Sequence, residues 1–99
     1  MARVIYKYDL GGVPSALSDV TIEMKEGAEI LYVANQHDRM VMWALVEEYA
    51  DDAVRDFYLC WTGPGNTPPD NSEYVGTGIF QNGNYVLHVF EKEQRNFIN

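Results

Sequence analysis

Apolar and polar positions along this chain recur mostly with a period of two, the repeat of a β-strand with one face buried. Val4, Tyr6 and Tyr8 alternate with Arg3, Ile5 and Lys7, which predicts a first strand. Leu10 to Ser18, LGGVPSALS, reads as a turn because of its glycine pair and proline. Val20, Ile22 and Met24 then oppose Thr21 and Glu23, a second strand closed by Lys25-Glu26-Gly27. EILYVA, Glu29 to Ala34, predicts a third, and Asn35 to Asp38 a hairpin turn.

Met40 to Val46, MVMWALV, breaks the alternation. Met40, Met42, Ala44 and Val46 fall on one face and Val41, Trp43 and Leu45 on the other, so both are apolar. Such a strand is expected at the centre of a sheet, covered on both sides. Met, Ala and Leu also favour helices, which leaves a helix as the competing reading. The polar turn before the segment and its branched and aromatic neighbours favour strand.

Glu47 to Ala53 is an acidic connection with room for one helical turn, and Val54 to Trp61 resumes as strand. Glu73 to Phe80 and Tyr85 to Glu91 complete the set, separated by Gln81-Asn82-Gly83-Asn84. Asn-Gly between two strand-like runs predicts a type I′ hairpin, since both residues tolerate positive φ. The tail from Glu91 to Asn99 has no strand pattern and is expected to fray or form a short helix. About seven short strands with tight turns predict a mainly β chain, a small antiparallel sandwich or barrel with little helix.

Composition sets the scale. Ninety-nine residues, 46% hydrophobic, make a single domain over 1–99 with one modest core. No apolar run nears the roughly 20 residues of a membrane span. MARVIYKYDL lacks the apolar centre of a signal peptide, and the lone Cys60 builds no disulfide framework. These features predict a cytoplasmic protein with no membrane partner.

A net charge of −8 argues against direct binding to nucleic acid, which needs a basic stripe to release counterions. It suits a basic partner, although acidity also serves solubility alone. Glu47, Glu48, Asp51, Asp52 and Asp56 place five carboxylates in ten residues, relieved only by Arg55. Such a stretch is either a solvated loop or a phosphate-mimicking edge that fits a cationic groove. Calcium is a weaker option, because the spacing is not that of an EF-hand.

Catalytic and cofactor patterns are missing from the sequence: no GxGxxG before a helix, P-loop, HExxH or GxSxG occurs. His37, Cys60 and His88 have no metal-ligand spacing, so neither metal nor cofactor is predicted. His88 shares a face with Val86 and Phe90, as a satisfied histidine or as a pocket donor or base. Cys60, inside FYLCW, reads as inert core.

The stretch WTGPGNTPPDN, Trp61 to Asn71, poses its own question. Backbone amides at Gly63 and Gly65 could approach an anion, with Trp61, Tyr58 or Tyr74 stacking on a base. Against that, Pro64, Pro68 and Pro69 remove three donors, and no Lys or Arg lies between Arg55 and Lys92. A stiff turn is the better reading, with Trp61 and Pro64 as candidate partner contacts.

The stretches IYKY (5–8), TIEM and GAEIL (21–31), MWALV (42–46), TG (62–63), YVGT (74–77) and HVFE (88–91) resemble a family of short phage-encoded proteins whose shared domain has no assigned chemistry. The resemblance implies a compact, strand-rich protein expressed in the host cytoplasm during infection. Relatives tend to carry a histidine directly after the Thr-Gly pair, where this chain has Pro64.

The expected function is therefore non-enzymatic: an anti-CRISPR-like antagonist that binds a host defence or nucleic-acid-handling protein. Glu47, Glu48, Asp51, Asp52, Asp56, Trp61 and Pro64 are its candidate contacts. The alternative is a sponge for a nucleotide immune signal, with Tyr58, Trp61, Tyr74, Tyr85 and His88 as pocket and Arg39 or Lys7 as phosphate partners. An enzyme of unknown chemistry ranks third. Exposed edges and many aromatics also allow a homodimer.

Overall fold

The computed structural model describes residues 2–12 and 18–93. Seven strands follow in chain order: β1 (Arg3–Gly12), β2 (Ser18–Lys25), β3 (Glu29–Gln36), β4 (Arg39–Glu47), β5 (Asp52–Trp61), β6 (Ser72–Phe80) and β7 (Tyr85–Lys92). They form two antiparallel sheets, one of three strands in the order β1-β4-β3 and one of four in the order β2-β5-β7-β6. Of the mainly β sandwich or barrel expected from the pattern, the sandwich is the fold.

Period-two alternation builds the core directly. Met40, Met42, Ala44 and Val46 of β4 face Phe57 and Leu59 of β5 and Leu87 and Val89 of β7, all essentially without solvent contact. Each such large side chain contributes roughly 1.5–3 kcal/mol relative to exposure. Two unbranched methionines side by side on β4 suit the uneven gap between sheets that are not parallel.

The sheets meet most closely where β3 passes β6. Asn35 Nδ2 donates to the Ile79 carbonyl at 3.0 Å. A Cβ added to Gly76 would stand 2.6 Å from Val33 Cβ, and one on Gly78 2.7 Å from Met40 Cε. Both glycines of YVGTG are thus needed for β6 to pack directly on the core side of β3.

Three expectations need correcting. Leu10 to Gly12 is not turn but the end of β1, facing Met40 and Arg39 through an irregularity between Asp9 and Gly11. Gly11 takes φ 111° there and its amide bonds Asp9 Oδ1 at 2.7 Å, while Leu10 enters the core. Ser18, the last residue of that predicted turn, opens β2, and residues 13–17 lie outside the described residues. Of the tail expected from Glu91 onward, Glu91 and Lys92 continue β7, and residues 94–99 lie outside the described residues.

The Asn82-Gly83 hairpin exists, but Phe80 pairs with Tyr85 and leaves four residues in the loop. Gln81, Asn82 and Gly83 all take positive φ in a short 3₁₀ turn rather than a two-residue type I′ turn. Asn tolerance of this region served a longer loop than expected.

The third correction concerns β4. It is a central strand, as predicted, but only its inner face is fully covered. Two sheets make two layers, and each sheet then has one inside. On the outside Val41 is buried beneath a side-chain bridge from Lys7 Nζ to Gln36 Oε1 (2.8 Å) that spans β4 from β1 to β3. Trp43 and Leu45 remain half-exposed, with no element over them among the described residues.

Candidate functional site

The acidic stretch forms the turn between β4 and β5, and the backbone fixes it. Ala50 N bonds the Glu47 carbonyl at 3.0 Å, Glu48 N bonds Ala2 at 3.3 Å, and Glu26 N bonds Asp51 at 2.7 Å. Lys25 Nζ adds a bond to the Ala50 carbonyl at 3.1 Å and an ion pair to Asp52 at 3.3 Å. Arg3 lies between Glu29 and Glu47 at 3.6 and 3.9 Å. Glu48 and Asp51 have no ion pair among the described residues.

Asp56 does not join them. It points outward from the four-stranded sheet and accepts the Thr21 hydroxyl at 2.8 Å. The surface therefore gathers Glu47, Glu48, Asp51 and Asp52, together with Glu26 from the neighbouring turn. At its tip stands Tyr49, 88% exposed, beside a cleft of about 400 Å³ lined by Ala2, Glu47, Tyr49 and Ala50. Sequence reasoning passed over Tyr49. The signal was available: one aromatic inside a run of charge, with no strand neighbours to bury it.

The five residues of the predicted ligand pocket divide between two places. Tyr58, Tyr74 and His88 share the outer face of the four-stranded sheet, where Tyr58 pairs across to Phe90 and Cys60 to His88. Trp61 and Tyr85 follow the opposite parity and meet edge to face at 5.7 Å near one end of the sandwich. Lys7 and Arg39, the suggested phosphate partners, belong to the other sheet.

His88 is held by both ring nitrogens, Nε2 at 2.7 Å from Thr62 Oγ1 and Nδ1 at 2.9 Å from Thr77 Oγ1. Tyr74 OH lies 2.6 Å from the same Thr77 oxygen, and Thr62 Oγ1 reaches the Val86 carbonyl at 3.4 Å. One assignment satisfies every group: Tyr74 donates to Thr77, Thr77 to Nδ1, Nε2–H to Thr62, and Thr62 to Val86. His88 is thus a satisfied histidine, but its partners are threonine hydroxyls rather than a carbonyl. An imidazole beside a hydroxyl could act as a base, yet no carboxylate bonds it among the described residues.

The loop after β5 folds back over this face. Cys60 Sγ lies 3.1 Å from the Asn66 carbonyl, and burial pushes its thiol pKa up, away from a reactive thiolate. Gly63 and Gly65 take φ 135° and 80°, and the Asn66 amide returns to the Gly63 carbonyl at 3.2 Å. These are turn contacts. Pro64 is exposed at the loop's crest.

Between the sheets one charged pair interrupts the apolar interior. Arg55 Nε and Nη2 each donate to Glu91 at 2.7 Å, and Nη1 donates to the Ala28 carbonyl at 2.7 Å. The side chains are 14% and 16% exposed. Glu91 holds the Arg55 pKa above its usual value, against the opposing effect of burial. The pair floors a cleft of about 490 Å³ that Ser72 and Glu73 also line. Its alkyl and charged parts close one end of the sandwich, a structural role that sequence spacing did not reveal.

Among the described residues no group of three or more His, Cys, Asp or Glu side chains is placed to hold a metal ion. Among the same residues no helix is long and apolar enough to cross a membrane.

What the fold and these surfaces define is a small two-sheet β-sandwich with polar and aromatic surface clusters. By sequence the chain belongs to a family, the domain of unknown function DUF7352, which matches residues 1–97. No curated protein and no solved structure matches it.

Proposed function

We propose that this protein acts by binding rather than catalysis, as a phage accessory protein that docks its acidic end onto a basic host protein. The target class is a defence or nucleic-acid-handling machine whose cationic groove accepts carboxylates in place of phosphates. The observation that carries this reading is Tyr49, an 88% exposed aromatic on a turn pinned by backbone bonds and flanked by carboxylates. A rigid, exposed Tyr is a typical interface anchor, because it offers large contact area at little entropy cost. The surrounding charge sets the sign of the partner and favours fast, salt-sensitive association.

Capture of host proteins on the immobilised chain, at low and high salt, tests this. Tyr49→Ala should lower affinity for the captured partner by at least about tenfold, the scale of an interface hot spot. Glu48→Lys with Asp51→Lys should slow association, while melting temperature stays unchanged. A partner held equally well by these variants would reject the reading.

The nucleotide-sponge alternative rests on Tyr58, Tyr74, Phe90 and His88 sharing one face. Lys92 is on that face too, but it is paired with Asp19 at 2.7 Å. Thermal shift against cyclic nucleotides separates the two. A ligand at about 100 times its dissociation constant adds roughly 2.7 kcal/mol, and no shift with any nucleotide counts against the sponge.

A further inference from the structure

The outer face of the three-stranded sheet carries a run of exposed apolar side chains with no element over it among the described residues. Ile5 is 59% exposed, Leu31 46% and Tyr32 66%, and the half-exposed Trp43 and Leu45 lie between them. Cross-strand pairing orders this face in rows. Arg3 sits beside Glu47; Ile5, Leu45 and Glu29 come next; then Lys7, Trp43 and Tyr32; then Asp9, Val41 and Ala34; and finally Arg39 with Gln36. Tyr32 and Trp43 already touch, with ring centroids 6.3 Å apart.

The charge pattern of the central strand is self-complementary. β4 has a carboxylate at its last outward position, Glu47, and a guanidinium at its first, Arg39, with Val41, Trp43 and Leu45 between. Arg39 gives Nε to Asp9 at 2.7 Å, and its Nη groups make no hydrogen bond among the described residues. Glu47 is held by Arg3 only at 3.9 Å. Each end thus keeps charge available to a second molecule.

We infer that a second copy of this chain covers this face, packed about a two-fold axis that lies in the interface at right angles to β4. That operation runs β4 antiparallel across its own copy. Trp43 meets the second copy's Trp43 and Tyr32 its Tyr32, Leu45 meets the Lys7–Gln36 bridge that covers its Val41, Ile5 falls over its Asp9, and Glu47 meets its Arg39. Both ion pairs form at once, as an isologous interface requires. Rotation about an axis along β4 would instead set Glu47 against Glu47 and Arg39 against Arg39. Sheets packed face to face align within about 30°, which keeps the rows in register at the centre.

The dimensions indicate a modest affinity. Three strands and the nine residues of β4 give a flat patch on the order of 400 Å² at about 4.8 Å per strand and 3.4 Å per residue. That is about half the ~800 Å² per partner of a standard interface, so the dimer dissociates on dilution. Tyr49 lies beyond the end of β4 and outside the rows, so Tyr49→Ala leaves this face intact; Glu47 is the one residue the two surfaces share.

Sedimentation velocity of the full chain, from low micromolar to millimolar concentration, tests it. A reversible monomer–dimer equilibrium is expected, with Tyr32→Glu and Ile5→Glu each shifting the chain to monomer; both side chains are more than half exposed, so the fold should tolerate the change. Glu47→Arg or Arg39→Glu alone should weaken association by about tenfold or more, and the two together should restore it. A chain that is monomeric throughout overturns the inference. So does a dimer indifferent to Tyr32→Glu, or a double swap no tighter than the single ones.

Discussion

The two outer faces of the sandwich sit on the same core and are built on opposite terms. On the four-stranded sheet, Tyr74, Thr77, His88 and Thr62 form one continuous hydrogen-bonded chain, and a loop covers Cys60. On the three-stranded sheet, Ile5, Leu31 and Tyr32 stand open, with polar contact limited to flanking pairs such as Lys7–Gln36 and Asp9–Arg39. A satisfied polar face loses stability when one member is removed. An open apolar face loses little stability, but it loses whatever covers it. Stability and association should therefore respond to different substitutions.

The largest effect should come from the interior that both faces share. Arg55→Ala removes the partner of Glu91, a carboxylate only 16% exposed, and the expected loss is about 1.5–3 kcal/mol. Arg55→Met combined with Glu91→Leu should recover most of it in urea unfolding. If the single change were mild, the pair would not be the closure of the sandwich end described above.

Next comes the contrast itself. His88→Ala strips both Thr62 and Thr77 of a partner, and urea unfolding should register about 0.5–1.5 kcal/mol. Tyr32→Ser, at a 66% exposed position, should stay within about 0.5 kcal/mol in the same assay. Equal costs at the two positions would erase the distinction between the faces.

The smallest effect is one of pH. The Arg39 hydrogen bond holds the Asp9 carboxyl below its ordinary pKa, burial opposes it, and the Gly11 amide and Lys7 assist. A carboxyl depressed in the folded state binds its proton more readily when unfolded. Its contribution is therefore present above the unfolded value, near 3.9, and disappears as pH falls through the folded one. Melting temperature followed down the acid range should fall less steeply for Asp9→Asn than for the parent chain. Parallel profiles would show that the pair contributes nothing measurable.

Family membership and the two-sheet fold sharpen different parts of the picture. The match over 1–97 spans nearly the whole chain, so the surfaces on both sheets lie within the family's domain. The family carries no chemistry to transfer, and the weight therefore falls on geometry.

Strand existence was legible throughout, because alternation every two residues survives in most segments from Val4 to Glu91, and the one that breaks it, Met40 to Val46, is marked as strand by its flanks. The ends of strands were less so: β1 runs four residues beyond Tyr8, since Gly11 tolerates the positive φ that lets the ladder continue past its irregularity. The candidate pocket was half legible. Parity along β5 and β7 does put Tyr58 and His88 on one face and Trp61 and Tyr85 on the other, but proximity in sequence to one loop had suggested they would meet. Tyr49 and the Arg55–Glu91 pair escaped notice for opposite reasons, one too exposed to carry a pattern and one joined across 36 positions.

By itself the sequence determined the strands, the mainly β class, the acidic balance and the absence of familiar catalytic motifs, because these depend on local period and residue type alone. Only the tertiary structure decided which of the two apolar faces of β4 lies inside. That outcome depends on how many layers the strands make: with two sheets, Met40, Met42, Ala44 and Val46 find a partner layer, and Trp43 and Leu45 are left half-exposed on the outside.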